Sequence, residues 1–195
     1  MSRMFRALFM TALSMAVVAL AASTASASVT LTSGGSFTAN TTSRQELRTT
    51  VSGLIPVSIT CSQSAAFDLT AGTYSGSNQV VGRLTSVTFT CDPTLLGTPT
   101  ISALSLPWNI IADETAFNSS TGLIRLRGVQ IEVTLGSVRC LFGNASSEIG
   151  IGVNNGSSTG TLLGGVLPSN SPACSNGSVS GSGYSFSRAV SWTIP

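Results

Sequence analysis

Short stretches in which apolar and polar residues alternate follow one another along the chain beyond its first 27 residues. The clearest covers 129–135, where Val, Ile, Val and Leu alternate with Gln, Glu and Thr. Successive residues of a strand point to opposite faces, so this pattern predicts a strand with one buried face. Comparable runs lie roughly 8 to 14 residues apart, and beyond residue 27 no amphipathic stretch of helical period reaches normal length. The pattern predicts an all-β protein.

Turn signals between these runs favour antiparallel pairing. Asn-Gly pairs, which hairpin turns prefer, occur at 155–156 and 176–177. The apolar phase changes around Gly128, so Arg127-Gly128 is predicted to be a bulge or tight turn that redirects the strand. An antiparallel sandwich and a small barrel both fit this spacing. We predict the sandwich: one antiparallel β-sandwich, Greek-key or jelly-roll-like, with two disulfides.

The first 27 residues have the three parts of an export signal. Arg3 and Arg6 supply positive charge, an apolar run covers 8–20, and Ala25-Ser26-Ala27 is a small-residue cleavage site. We therefore predict a signal peptide over 1–27, a single all-β domain over 28–195, and a secreted, extracellular protein, either released or held at the cell surface. The segment 28–53 is a candidate added edge segment. No later stretch is apolar enough over about 20 residues to cross a bilayer as a helix.

All the cysteines follow this signal, at Cys61, Cys91, Cys140 and Cys174. An even number of cysteines in an exported protein indicates two disulfides, for which three connectivities are open. The segments ending at Cys61 and Cys91 are near copies, Val-Ser-Ile-Thr-Cys and Val-Thr-Phe-Thr-Cys, with the apolar residues and the cysteine in one phase. Both thiols are therefore predicted to face the core, which favours Cys61–Cys91 and leaves Cys140–Cys174 as the second bridge.

Composition excludes several kinds of catalytic and binding site. The chain contains neither His nor Lys, so Ser-His-Asp, Cys-His, Ser-Lys and Schiff-base chemistry have no base or amine. The seven arginines beyond residue 27 balance seven carboxylates, which argues against nucleic-acid binding. A carboxylate pair such as Glu132 and Glu148 is the remaining enzymatic arrangement, that of a glycosidase. We predict no enzyme, no metal and no cofactor.

Aromatic residues offer a second kind of site. Carbohydrate-binding β-modules stack aromatic rings on sugars, and Tyr74, between Gly72 and Gly76, is the aromatic residue that we expect to be exposed. Tyr74 is therefore the candidate ligand contact. Trp192 alternates with Val190 and Ile194 and is expected in the core.

The order of these features is similar to a known family. The chain has a strand ending in Cys61, a second cysteine, Leu106-Pro107-Trp108, the later cysteines in a Gly-rich region and a final Trp192-Thr193-Ile194-Pro195. This order resembles that of the small secreted bacterial proteins called activators of alkane oxidation. The similarity covers roughly 54–195, and the segment before Leu54 departs from it. The resemblance implies a secreted, non-enzymatic protein that influences how cells contact hydrophobic material.

These observations lead to one functional expectation with two alternatives. We expect a structural or interaction role at the cell surface or at a hydrophobic interface, and assistance in the use of hydrophobic substrates is one form of that role. The expected partners are envelope components, an apolar interface, polysaccharide or further copies of the chain. The alternatives are a carbohydrate-binding protein and a fimbria-like or matrix subunit that assembles by strand addition.

Overall fold

The computed structural model describes residues 28–195, and the predicted signal peptide lies outside this range. None of the described residues is helical, which confirms the all-β class. The strands, in chain order, are β1 (Ser28–Leu31), β2 (Gly35–Thr41), β3 (Gln45–Val51), β4 (Ile55–Leu69), β5 (Gly72–Ser75), β6 (Gln79–Cys91), β7 (Thr100–Leu104), β8 (Trp108–Phe117), β9 (Thr121–Arg127), β10 (Gln130–Leu135), β11 (Val138–Gly143), β12 (Glu148–Asn154), β13 (Ser157–Leu167), β14 (Gly177–Ser180), β15 (Gly183–Val190) and β16 (Trp192–Thr193).

The largest sheet closes on itself. Its antiparallel order β12-β9-β8-β6-β4-β2-β15-β13 returns to β12 through a direct β12–β13 ladder. The predicted sandwich is therefore wrong for this sheet, which forms a closed eight-stranded barrel. The physical reason is that the barrel and the sandwich share the same alternation of buried and exposed residues, and only the long-range pairing distinguishes them.

Two strands of the barrel change partners along their length. The first half of β4 pairs with β3 and its second half with β2, while β13 pairs first with β15 and then with β14. The wall between β4 and β13 therefore has two halves placed end to end. One half is the β2–β15 ladder and the other is the β3–β14 ladder. We call the junction between these ladders, formed by 42–44 and 181–182, the seam.

A three-stranded sheet lies at each end of the barrel. One consists of β16, β1 and β5, and Trp192 of this sheet donates its indole N–H to the Asn118 carbonyl in the β8–β9 turn. The other consists of β11, β10 and β7 at the opposite end. The chain passes from the barrel into this second sheet at Gly128, whose φ of 85° places the predicted tight turn between β9 and β10.

The core is a single cluster of apolar side chains that fills the barrel and continues under both end sheets. Both disulfides join the pairs predicted from the sequence, Cys61 to Cys91 and Cys140 to Cys174. The first links β4 to β6, and the second fastens the end sheet of β11 to the connection before β14. Residues 28–53 supply β1, β2 and β3, and both β2 and β3 have a hydrogen-bonded neighbour on each side. Among residues 28–195, no helix is long and apolar enough to span a membrane.

Candidate functional site

Tyr74, the sequence-predicted ligand contact, lies in β5 opposite Val29. Its ring is partly buried against the core, and its hydroxyl donates to the Thr70 carbonyl at 2.7 Å. Partial burial raises the pKa of the Tyr74 phenol. Tyr74 is therefore half-buried and not fully exposed, because its ring packs against the core, and its role as a ligand contact stays a prediction.

The carboxylates considered for catalysis are held by arginines. Arg125 bonds to Asp113 and, at 2.9 Å, to Glu148, while Arg127 also bonds to Glu148 at 2.5 Å. Glu132 lies on a different sheet, where it pairs with Arg139. The structure thus places Glu132 and Glu148 in separate ion pairs. Among residues 28–195, no cluster of His, Cys, Asp and Glu has a metal-binding arrangement.

A group of exposed apolar residues that the sequence analysis did not single out lies at one end of the molecule. The β3–β4 turn presents Leu54, which is 85% exposed, followed by the exposed Ile55. Ser52 and Gly53 both have positive φ, 53° and 71°, and the Leu54 amide donates to the Val51 carbonyl at 3.2 Å. This tight turn fixes the leucine on the outside.

A second turn presents two more leucines beside the first. In the β6–β7 connection, the Thr94 and Gly97 backbones bond to each other in both directions, at 2.9 and 3.1 Å, and the Thr94 hydroxyl also donates to Gly97. Leu95 and Leu96 lie at the apex, where Leu95 is fully exposed. A surface groove is lined by 55–58 from one turn and 93–96 from the other, so the two turns are neighbours. We call Leu54, Ile55, Leu95 and Leu96 the apolar tip.

A smaller apolar strip lies on the outer wall of the barrel. Leu163 and Val166 of β13 are 61% and 63% exposed. Leu163 leans over Gly150 and Gly152 of β12, whose missing side chains leave room for it. The strip lies within β13, beside a bulge at Leu163-Gly164 where Gly164 has a φ of 85°, and not on a projecting turn. It is therefore a reference surface for the apolar tip.

The tip could have been found from the sequence by its flanking residues. Leu95-Leu96 stands between Pro93, Gly97 and Pro99, which is the composition of a turn, and Leu54 directly follows Ser52-Gly53. Apolar residues at the apex of turns are not needed for a core, and this makes them candidates for binding. These leucines were not predicted as a site because the alternation of apolar and polar residues marks only buried strand faces.

The interior of the barrel contains a second candidate site, behind the seam. There a partly enclosed cavity of about 60 Å³ is lined mostly by apolar side chains and by Gln45, Gln63 and Tyr184. The Gln45 side-chain amide donates to the Tyr184 hydroxyl, which in turn donates to the Gln63 side-chain carbonyl. Burial raises the pKa of Tyr184 to about 12.

Comparison of the chain with protein-family models, with curated proteins and with solved structures finds no match. The apolar tip, the interior cavity and the charge distribution of this chain are therefore the structural features from which a function is inferred.

Proposed function

We propose that this is a secreted, non-catalytic protein that binds apolar interfaces through the apolar tip. The observation that carries the proposal is the position of Leu54, Leu95 and Leu96 on two adjacent hydrogen-bonded turns, exposed to water. Each leucine that leaves water contributes roughly 1.5–3 kcal/mol, so a few such side chains suffice for measurable adsorption. The resemblance to activators of alkane oxidation supports the same kind of role.

The charges of the protein support an apolar rather than an anionic surface as the partner. Arg44 forms an ion pair with Asp92 at 2.9 Å, and Asp92 directly precedes the second turn of the tip. The tip residues themselves are uncharged, and the chain has no lysine. A membrane surface rich in anionic lipid is normally recognised by clustered Lys and Arg, a pattern that is not found near the tip.

The closed barrel favours interface binding over assembly by strand addition. Strand addition needs a free edge with unpaired backbone groups, and closure of a sheet removes its edges. Eight strands of this chain lie in the closed ring. Strand addition would be confined to the short edge strands of the two end sheets, β5 and β16 or β7 and β11, so we assign the proposed role at the cell surface to side chains at the tip.

Partitioning into a hexadecane–water emulsion tests the proposal. The oxidised protein is mixed briefly with the emulsion, and the fraction on the droplets is measured after centrifugation. Leu95→Ser combined with Leu96→Ser should lower the partition constant at least about tenfold, since two leucines no longer leave water. Circular dichroism before adsorption and after recovery from the droplets checks that each protein is folded.

The outer-wall strip supplies the matched control. Leu163→Ser combined with Val166→Ser removes a similar exposed apolar surface but leaves the tip intact. This variant should partition like the wild type. Equal losses in both double variants would show that adsorption depends on total apolar surface, and the proposed role of the tip would then be wrong.

A further inference from the structure

The interior cavity has the size and lining of a small-molecule site. Its apolar lining includes Ile59, Phe89, Ile101, Trp108, Leu126 and Ile131, from both the barrel and the end sheet of β7, β10 and β11. A neighbouring cavity of about 30 Å³ shares Gln63, Leu126 and Tyr184 with it. A water-sized group needs roughly 10–15 Å³ by this measure, so the larger cavity holds about four to six such groups.

One side of the cavity is polar. Tyr184 is 6% exposed, and its hydroxyl links the side chains of Gln45 and Gln63. A glutamine amide has two N–H donors and a carbonyl acceptor, so both glutamines have hydrogen-bonding capacity beyond their bond to Tyr184. Glu46 is the one charged residue in the lining, and it bonds to Arg48 at 2.8 Å. The site therefore offers hydrogen bonds to a neutral group but no cation for an anionic one.

The strand ladders are interrupted next to the seam, beside this polar side. The β3–β4 ladder reaches Gln45 and Cys61, and the β2–β4 ladder begins only at Asn40 and Ser64. Between them the backbone N–H of Gln63 donates to the Thr41 hydroxyl at 2.9 Å, and not to a backbone carbonyl of a neighbouring strand. Backbone bonds from Thr42 to the Gly183 carbonyl at 2.8 Å and from Leu162 to the Ser182 carbonyl at 2.9 Å still close the seam, so a ligand enters here only when these bonds open locally.

We propose that the barrel interior binds a small neutral amphiphile, a short hydrocarbon chain with one hydroxyl or carbonyl group. The chain lies among Trp108, Leu126 and Ile131, and the polar group bonds to the Gln45–Tyr184–Gln63 cluster at the seam. A lining that is mostly apolar disfavours ordered water and favours hydrocarbon. This site is separate from the apolar tip and does not depend on the function proposed for it.

The two tryptophans provide a matched pair of reporters. Trp108 lines the cavity, while Trp192 lies in the end sheet of β1 and does not line it. Both are almost fully buried, at 3% and 2% exposure, so collisional quenching from solvent should affect them equally. The described residues contain no free thiol, so an alkyl bromide probe is not consumed by cysteine.

The test is quenching by 3-bromo-1-propanol, whose bromine quenches indole fluorescence at contact. In the Trp192→Phe variant, which retains Trp108, we expect saturable quenching with a dissociation constant of about 1 mM, which is within the range for a ligand of five non-hydrogen atoms. In Trp108→Phe, which retains Trp192, quenching should be weak and linear. Added 1-butanol should reverse the saturable part, and butyrate should do so at least about tenfold less effectively because the site has no cation for it.

A measurement on the wild-type protein removes dependence on the variants. Each indole N–H gives one NMR signal. The Trp108 N–H donates to the Leu104 carbonyl and the Trp192 N–H to the Asn118 carbonyl, both at 2.8 Å, so the two signals report on different environments. Titration with 1-butanol should shift the Trp108 signal to saturation and leave the Trp192 signal in place. Equal linear quenching of both tryptophans, or equal shifts of both signals, would overturn the proposal. Leu95→Ser with Leu96→Ser should leave this binding unchanged, which separates it from the proposed function of the tip.

Discussion

Tyr184 and Tyr74 illustrate how burial changes the chemistry of one residue type. The Tyr184 hydroxyl is enclosed with two glutamine side chains, and burial raises its pKa to about 12. Tyr74 keeps part of its ring in water and donates to a backbone carbonyl. Of the two, Tyr184 therefore couples the folding equilibrium more strongly to pH.

We predict that stability falls as the pH rises from about 10 to about 12. The phenol of an unfolded chain ionises near pH 10, whereas folded Tyr184 keeps its proton up to about pH 12. In this window the folded state binds more protons than the unfolded state, so the free energy of unfolding decreases with pH. The full effect is about 2–3 kcal/mol, present below pH 10 and lost by pH 12. Urea unfolding at a series of pH values measures it.

Tyr184→Phe is the control for this pH dependence. The variant should lose roughly 1–2 kcal/mol at neutral pH, because the Gln45 and Gln63 amides lose their common partner. Its stability should then change less between pH 10 and 12 than that of the wild type. An unchanged alkaline slope in Tyr184→Phe would mean that another group causes the loss.

At the scale of the strands, the two disulfides constrain different parts of the fold. Cys61 and Cys91 lie directly opposite each other in the β4–β6 ladder, which hydrogen bonds hold independently. Cys140 of β11 is linked to Cys174, outside the strands and before β14. The second bridge therefore ties the end sheet to the barrel, whereas the first lies within a barrel ladder.

Hydrogen exchange should distinguish these roles. Each bridge closes a loop, with sequence separations of 30 and 34 residues, so the chain-entropy model gives each about 3–4 kcal/mol. In Cys140→Ala with Cys174→Ala, amides of β10 and β11 should exchange faster relative to those of β8 and β9. In Cys61→Ala with Cys91→Ala, protection should fall across the barrel without singling out that sheet. Selective loss in β10 and β11 in both variants would contradict this assignment.

The strands themselves were largely predictable, and their pairing was not. Val57, Ile59 and Cys61 of β4 are buried in one phase, as the alternation indicates, and the phase continues through Phe67 and Leu69. Closure of the barrel depends on the β12–β13 and β13–β15 ladders. These ladders are made of backbone hydrogen bonds, which do not depend on the identity of the side chains. Apart from the cysteines, which indicated that β4 and β6 lie together, no side-chain pattern marks which strands meet, so the sequence allowed both the sandwich and the barrel.

The candidate sites were less predictable than the core, for a related reason. Tyr184 alternates with Phe186 in a normal strand pattern, so nothing in the sequence marks its hydroxyl as part of an interior polar cluster. That cluster arises only because the seam brings Gln45, Gln63 and Tyr184 together from three strands. The apolar tip, by contrast, depends on local turns, and its leucines are recognisable once turns are considered separately from strands.

At the scale of the whole molecule, charge is balanced and mostly paired. Seven arginines and seven carboxylates lie beyond residue 27, and five of these arginines form ion pairs within the described residues. Such a molecule has little long-range field to attract or repel a charged surface. We therefore expect any association with a surface to depend on short-range apolar contact, the contact that we propose for the tip.

Partitioning into hexadecane droplets should therefore be insensitive to salt. Between about 0.01 M and about 0.1 M ionic strength the Debye length falls from roughly 30 Å to roughly 10 Å, so any attraction based on net charge would weaken strongly. We expect the partition constant of the wild type to change less than about twofold over this range, because burial of leucine is not screened by salt. Vesicles containing anionic lipid provide the comparison, and binding to them that exceeded binding to hexadecane and decreased with salt would identify an electrostatic partner instead. A Leu95→Ser, Leu96→Ser variant that lost droplet binding equally at both ionic strengths would show that the tip supplies the apolar contact.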